Sequence, residues 1–115
     1  MAEECLFCKV YAGELPSKEV LRDGDVYAFE DIRPVAPVHV LIIPKQHIPS
    51  VHELRPEHGP IWLHMVQVAN RVADQRDIAA DGYRLVVNCG PQAGQSVYHV
   101  HLHLLGGRSM NWPPG

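Results

Sequence analysis

The sequence predicts an α+β fold in which one long and one short helix accompany a five-stranded antiparallel sheet. Three observations carry this: five short stretches rich in β-formers, a stripe of apolar residues at helical spacing, and Gly, Pro and Asp clusters between them. The 115 residues are 46% apolar, enough for a core without disulfide support. No repeat, low-complexity tract or linker divides them, so residues 1–115 are expected to form a single domain.

In chain order, Cys5 to Ala12 can form one or two helical turns ending at Gly13, with Leu6, Val10 and Phe7 on the apolar side. Lys18 to Arg22 and Val26 to Glu30 read as strands of a hairpin. The intervening Asp23-Gly24-Asp25 has a composition that favours positive φ. Pro34 and Pro37 mark a loop, because each lacks an amide donor and biases its predecessor away from helix. A buried strand, His39 to Ile43, then stops at Pro44. From Pro60 to Ala73, Ile61, Met65, Val68 and Val72 recur at spacings of four, three and four, which makes one face of a helix that covers the sheet. Tyr83 to Asn88 is the fourth strand, and Gly90 to Gly94 a loop. The last strand runs from Val97 to Leu105, and turn residues with an exposed Trp112 follow.

Charge and composition exclude several partners. Ten basic against thirteen acidic residues give a net charge of -3, with no Lys/Arg run to follow a phosphate backbone, so a nucleic-acid polymer is not expected as a partner. No segment approaches the roughly 20 apolar residues that span a bilayer, and the N-terminus lacks the pattern of a signal peptide. A cytoplasmic protein with no membrane partner is therefore expected.

The chemistry concentrates in HVHLHLL. Side chains alternate along a strand, so His99, His101 and His103 share one face while Val100, Leu102 and Leu104 share the core face. Three readings stand side by side. The histidines are merely solvated; or they bind a metal, although residues two apart lie about 6.5–7 Å from each other, too far for all three to reach one ion; or the middle imidazole is a nucleophile. The last needs one ring nitrogen protonated and held by an acceptor such as a backbone carbonyl, so that the other presents its lone pair. A flanking histidine would then donate to the developing oxyanion. Gly94-Gln95-Ser96-Val97 adds backbone amides and a hydroxyl able to pass a proton to a leaving amine.

GQSVYHVHLHLLGG, together with FEDIRPVAPVHVLIIPKQH, the GYRLVVN strand and the terminal WPPG, resembles the histidine triad superfamily, specifically its Hint branch. The similarity covers almost the whole chain. It implies a homodimer in which two sheets join into one, and hydrolysis of purine nucleoside 5'-phosphoramidates and aminoacyl adenylates through a nucleotidyl-histidine intermediate. The small-molecule partners implied are AMP and adenosine phosphoramidates, and no cofactor is required for catalysis.

By the same resemblance, His101 matches the nucleophile, His103 the histidine that hydrogen-bonds phosphate, and His99 the supporting triad member. His39 matches a fourth, distant active-site histidine, and Ser96 the residue that protonates the leaving amine. Asp31 matches the carboxylate that accepts both ribose hydroxyls, and Asn88 a phosphate-side contact. Phe29, Ile32, Leu41, Leu6, Phe7 and Leu15 match the apolar slot for the base, with ordinary core packing as the alternative. Gly94, Gln95 and Val97 join the nucleotide-binding set. Trp112 is expected to reach the partner subunit's active site and to shape its leaving-group side, the alternative being a solvent-side turn aromatic.

Cys5 and Cys8, spaced CxxC, can hold a structural zinc together with His47 and His99, or can remain a reduced, partly buried pair. No thioredoxin-like βαβ pattern surrounds them, which disfavours redox chemistry. Cys89 is expected to be a small buried hydrophobe, and His52, His58 and His64 surface residues without partners. Two rival functions remain at this level. One is a nucleotide-binding scaffold protein; the other is dinucleoside polyphosphate hydrolysis or nucleotidyl transfer.

Overall fold

The periodicity of apolar residues decides where a chain pairs and where it coils. The computed structural model, which describes residues 4–115, follows that division. Its elements are α1 (Leu6–Tyr11), β1 (Glu19–Arg22), β2 (Val26–Glu30), β3 (Val38–Pro44), α2 (Gly59–Gln75), β4 (Tyr83–Val86) and β5 (Leu102–Gly106). They build a five-stranded sheet of order β1-β2-β3-β5-β4, antiparallel throughout. None of the described helices is long and apolar enough to cross a membrane.

Both faces of the central strands are covered, which is why β2 and β3 read as nearly continuous apolar runs. On one face Val26, Ala28, Val40, Ile42, Leu102 and Leu104 pack against Met65, Val68, Ala69 and Val72 of α2. On the other, Tyr27, Phe29, Leu41 and Ile43 meet Phe7 and Val10 of the much shorter α1. Six helical residues cannot cover a five-stranded sheet, so the part of this face that carries β5's odd-numbered side chains stays accessible. Leu41 lies directly opposite His103, and His39 opposite Leu105, so the β3–β5 register places both histidines on that face.

The short helix is held by sulfur and by glycine. Cys5 is its N-cap and accepts the Cys8 amide at 3.4 Å on Sγ; Gly13 follows the last turn at φ +80°, in the left-handed region.

Several expectations are corrected. The β1–β2 turn does not use a positive φ at Gly24; instead Asp23 Oδ1 accepts the amides of Asp25 and Val26 at 2.9 and 2.8 Å, so a side chain closes the turn. The last strand begins at Leu102 rather than Val97. Pro44 has no amide to extend the β3 ladder, and the Val100 amide donates instead to Ile48 O at 2.6 Å. β4 stops at Val86, short of Asn88, where the chain turns into a loop braced by Gln95. Leu6 is half-exposed while Phe7 and Val10 are the buried residues of α1, and Cys89 is exposed. His64 has a partner, Asp23 Oδ2 at 2.6 Å, which ties α2 to the hairpin turn.

Candidate active site

His101 stands just before β5, where the chain leaves the ladder and backbone carbonyls become free to serve side chains. Its Nδ1 lies 2.7 Å from the carbonyl oxygen of His99 and donates to it. A neutral imidazole so held carries its proton on Nδ1 and its lone pair on Nε2. The edge of Phe7, at 5.0 Å between centroids and 89° between planes, props the ring. Burial lowers the His101 pKa below the ordinary histidine value, against the opposing pull of the His99 carbonyl and Asp31.

A second chain of contacts sets the tautomer of His103. The Val35 amide donates to His39 Nδ1 at 3.1 Å, which leaves the proton of a neutral His39 on Nε2. That nitrogen is 3.0 Å from His103 Nδ1 and 3.3 Å from Asp31 Oδ2. With Nδ1 accepting, His103 keeps its proton on Nε2 and is a donor. Burial and the neighbouring imidazoles push its pKa down to about 4, so the ring is neutral at pH 7. The two rings lie 5.1 Å apart, one presenting a lone pair and the other an N–H.

Both line a cavity of about 440 Å³, within the range of small-molecule sites. Its wall is largely apolar, from Leu6, Phe7, Leu15, Phe29, Ile32, Leu41 and Val97, and Asp31 and Ser96 add polar groups to it. Asp31 Oδ1 accepts the Arg33 amide at 2.7 Å, which fixes the carboxylate within the loop after β2. Val10, Pro16, Ser17 and Glu30 also line the cavity and were not anticipated. They come from the connection before β1 and from the ends of α1 and β2; Glu30 lies within the FEDIRP motif, and the other three carry none. A wider depression of about 830 Å³ near Asp25, Lys45 and His64 brings together no such pair of neutral imidazoles.

Other anticipated residues lie elsewhere. The His99 ring is fully buried outside the cavity, and only its carbonyl serves His101. Gln95 is buried, with Nε2 donating to Pro49 O and Val97 O and Oε1 accepting from Gly90 N. All its polar atoms are engaged in bracing the loop. Gly94 takes a left-handed φ of +85° there and does not line the cavity. Asn88 borders a separate depression beside Arg84 and Arg108, and Trp112 is 81% exposed.

The His99 ring belongs to a second cluster. Its Nδ1 is 3.3 Å from Cys5 Sγ, 3.5 Å from Cys8 Sγ and 3.3 Å from His47 Nδ1, and Cys8 Sγ is 3.5 Å from His47 Nδ1. Tetrahedral zinc at ordinary bond lengths spaces two nitrogens about 3.3 Å apart and nitrogen and sulfur about 3.5 Å apart. His99 Nε2 donates to Pro44 O at 2.8 Å, so its Nδ1 lone pair points at a second imidazole nitrogen and two sulfurs. The four residues thus fit a metal ion in spacing, and His99 also in the direction of its lone pair.

Paired imidazoles at the mouth of the last strand, over an apolar cavity on an antiparallel sheet, define a class of α+β protein organised around its histidines. The chain belongs to the HIT domain family, whose model matches residues 12–110. It is 49% identical over 110 residues to the purine nucleoside phosphoramidase of Escherichia coli (strain K12), covering 96% of this chain and 92% of that one. It is 48% identical to the 14 kDa zinc-binding protein of Zea mays, covering 96% and 87%. The crystal structure of a HIT family hydrolase from Legionella pneumophila Philadelphia 1 superposes with a TM-score of 0.95 at 47% identity, covering 96% and 99%.

Proposed function

We propose that this protein hydrolyses purine nucleoside 5'-phosphoramidates, and aminoacyl adenylates, to the nucleoside monophosphate through a nucleotidyl-histidine intermediate on His101. The observation that carries the reading is the 2.7 Å bond from His101 Nδ1 to the His99 carbonyl, which turns the Nε2 lone pair into a nucleophile beside a donor imidazole. The E. coli relative's name supports the substrate class.

In the proposed mechanism the base occupies the apolar cavity and Asp31 accepts the ribose hydroxyls. His103 Nε2–H donates to a nonbridging phosphate oxygen as charge develops there. His101 Nε2 forms a bond to phosphorus while the bond to the amine breaks. The amine leaves with that electron pair and takes a proton from Ser96. Water then attacks phosphorus, the bond to Nε2 breaks, and the proton shed by water restores the one used. Each cycle consumes one water and returns the neutral imidazole. Replacing His101 with Ala removes the atom that forms the intermediate. Release of AMP from adenosine 5'-phosphoramidate is expected to fall on the order of 10⁴-fold or more. Appreciable turnover by the folded variant would overturn the assignment.

Three further parts of the reading rest on the resemblance and on chemistry. Zinc held by Cys5, Cys8, His47 and His99 would cross-link α1 to the segments around His47 and His99. A homodimer formed along the β4 edge would extend the sheet, and the C-terminal segment with Trp112 and the Asn88 loop would meet the partner there. A cytoplasmic setting suits reduced thiols.

A further inference from the structure

The cluster of sulfurs and imidazoles is not sealed from solvent. Cys5 and His47 belong to the lining of a depression of about 550 Å³, with Glu4, Pro49 and Tyr98 around them, so a molecule little larger than water has an approach to Cys5. Cys5 is the N-cap of α1, and Cys8 lies three residues on, in its first turn. Residues so placed have Cα atoms about 5 Å apart, inside the range that a disulfide spans. The two Sγ atoms fall within 4.8 Å of each other, and His99 Nδ1 stands 3.3 Å from that of Cys5 and 3.5 Å from that of Cys8. Two thiols, an acceptor for their protons and an entrance therefore meet at one place.

On the reading that these residues hold zinc, we infer that Cys5 and Cys8 are also a peroxide-reactive pair, whose oxidation to a disulfide expels the metal and loosens the wall that α1 gives the nucleotide cavity. The Cys5 sulfur attacks one oxygen of hydrogen peroxide, the O–O bond breaks, and the departing hydroxide takes up a proton and leaves as water. The Cys8 sulfur then attacks the Cys5 sulfenic acid, the S–O bond breaks, and a second water departs. The two protons come from the thiols or, for metal-bound thiolates, from solvent. One peroxide is reduced to two waters while two sulfurs are oxidised to one disulfide. The bond draws the sulfurs from the roughly 3.8 Å of tetrahedral zinc to about 2 Å and removes both their negative charges, so the pair ceases to be a ligand. The cross-link from α1 to the segments around His47 and His99 goes with it. A helix of six residues does not sustain itself, and this one carries Phe7, the prop of His101, which lines the cavity with Leu6 and Val10. The pair reacts once and is then reset by a reductant, which needs none of the βαβ scaffold of a disulfide-exchange catalyst.

The test uses Cys89→Ala, which removes the third, exposed thiol and leaves the cluster intact. The zinc-loaded chain is treated with hydrogen peroxide, and three quantities are followed: zinc set free, by a chromogenic chelator; the mass of the peptide spanning Cys5 and Cys8; and the affinity for AMP, by calorimetry. A loss of about 2 Da, two hydrogen atoms, is expected in step with release of one zinc per chain. AMP binding is expected to weaken about tenfold, as when only a tenth of the molecules keep α1 in place. Dithiothreitol followed by zinc should restore it. With Cys8→Ser added, Cys5 should gain oxygen and form no disulfide within the chain. The inference is overturned if the intact pair gains oxygen without forming the disulfide, if the disulfide forms while zinc stays bound, or if AMP binds equally well after the metal has left. The zinc content before treatment reports separately on the metal reading, and a chain that takes up none removes that reading and the inference together. Failure of the untreated chain to bind AMP would remove the nucleotide reading, and with it the link from the sulfurs to the cavity.

Discussion

His101 and His103 differ in what holds their Nδ1 atoms: a carbonyl acceptor in one case, the N–H of His39 in the other. That single difference makes one ring the nucleophile and its neighbour the donor. Burial keeps both neutral, with His101 shifted down and His103 brought to about 4. Protonation of His101 removes its lone pair, so activity should be lost on the acid side, below the ordinary histidine value of about 6.5. A profile of kcat/KM against pH is expected to stay level through that region and fall only beneath it; an acid limb at 6.5 or above would contradict the arrangement. The same shift affects stability. A histidine with a depressed folded-state pKa binds its proton first in the unfolded chain, so its contribution is complete above about 6.5 and is lost as pH falls. For His103 that window extends down to about 4.

Among the elements, α1 is the least able to support itself, having six residues and only Phe7 and Val10 buried. Its place over the sheet depends on apolar contact and on the cluster that joins Cys5 and Cys8 to His47 and His99. Phe7 also props His101, so the metal cluster and the nucleophile share one support. One equivalent of zinc per chain is expected to survive exhaustive dialysis, and Cys8→Ser is expected to lose it. The thermal midpoint should drop by at least about 5 °C, since roughly 1 kcal/mol moves it by about 4 °C in a domain of this size. Less than a tenth of an equivalent in the wild type would remove the metal from the account. The CxxC spacing and the choice of His47 and His99 were readable in the chain. That the His99 ring stands wholly outside the cavity, with only its carbonyl serving His101, was not, because strand alternation alone puts it beside His101.

For the whole molecule, the two layers are unequal: the 17-residue α2 packs over one face of the sheet, and the six-residue α1 over part of the other. Met65, 1% exposed and central to the α2 contact, is a sensitive probe of the sealed layer. Met65→Ala is expected to cost about 2–5 kcal/mol of unfolding free energy, measurable as a shift in the denaturant midpoint, with little change in kcat. A loss of activity at unchanged stability would mean that the two faces are more tightly coupled than the packing implies.

Periodicity alone determined that five strands and the α2 stripe exist and put His101 and His103 on one face, because those signals are local and repeat along the chain. Only the tertiary structure decided that the Pro44 carbonyl takes the His99 ring, and that the Val35 amide sets the tautomers of His39 and His103. Each of these depends on a backbone group brought from elsewhere in the sequence. A carbonyl or amide is the same in every residue, so its position in space, rather than its identity, carries the information.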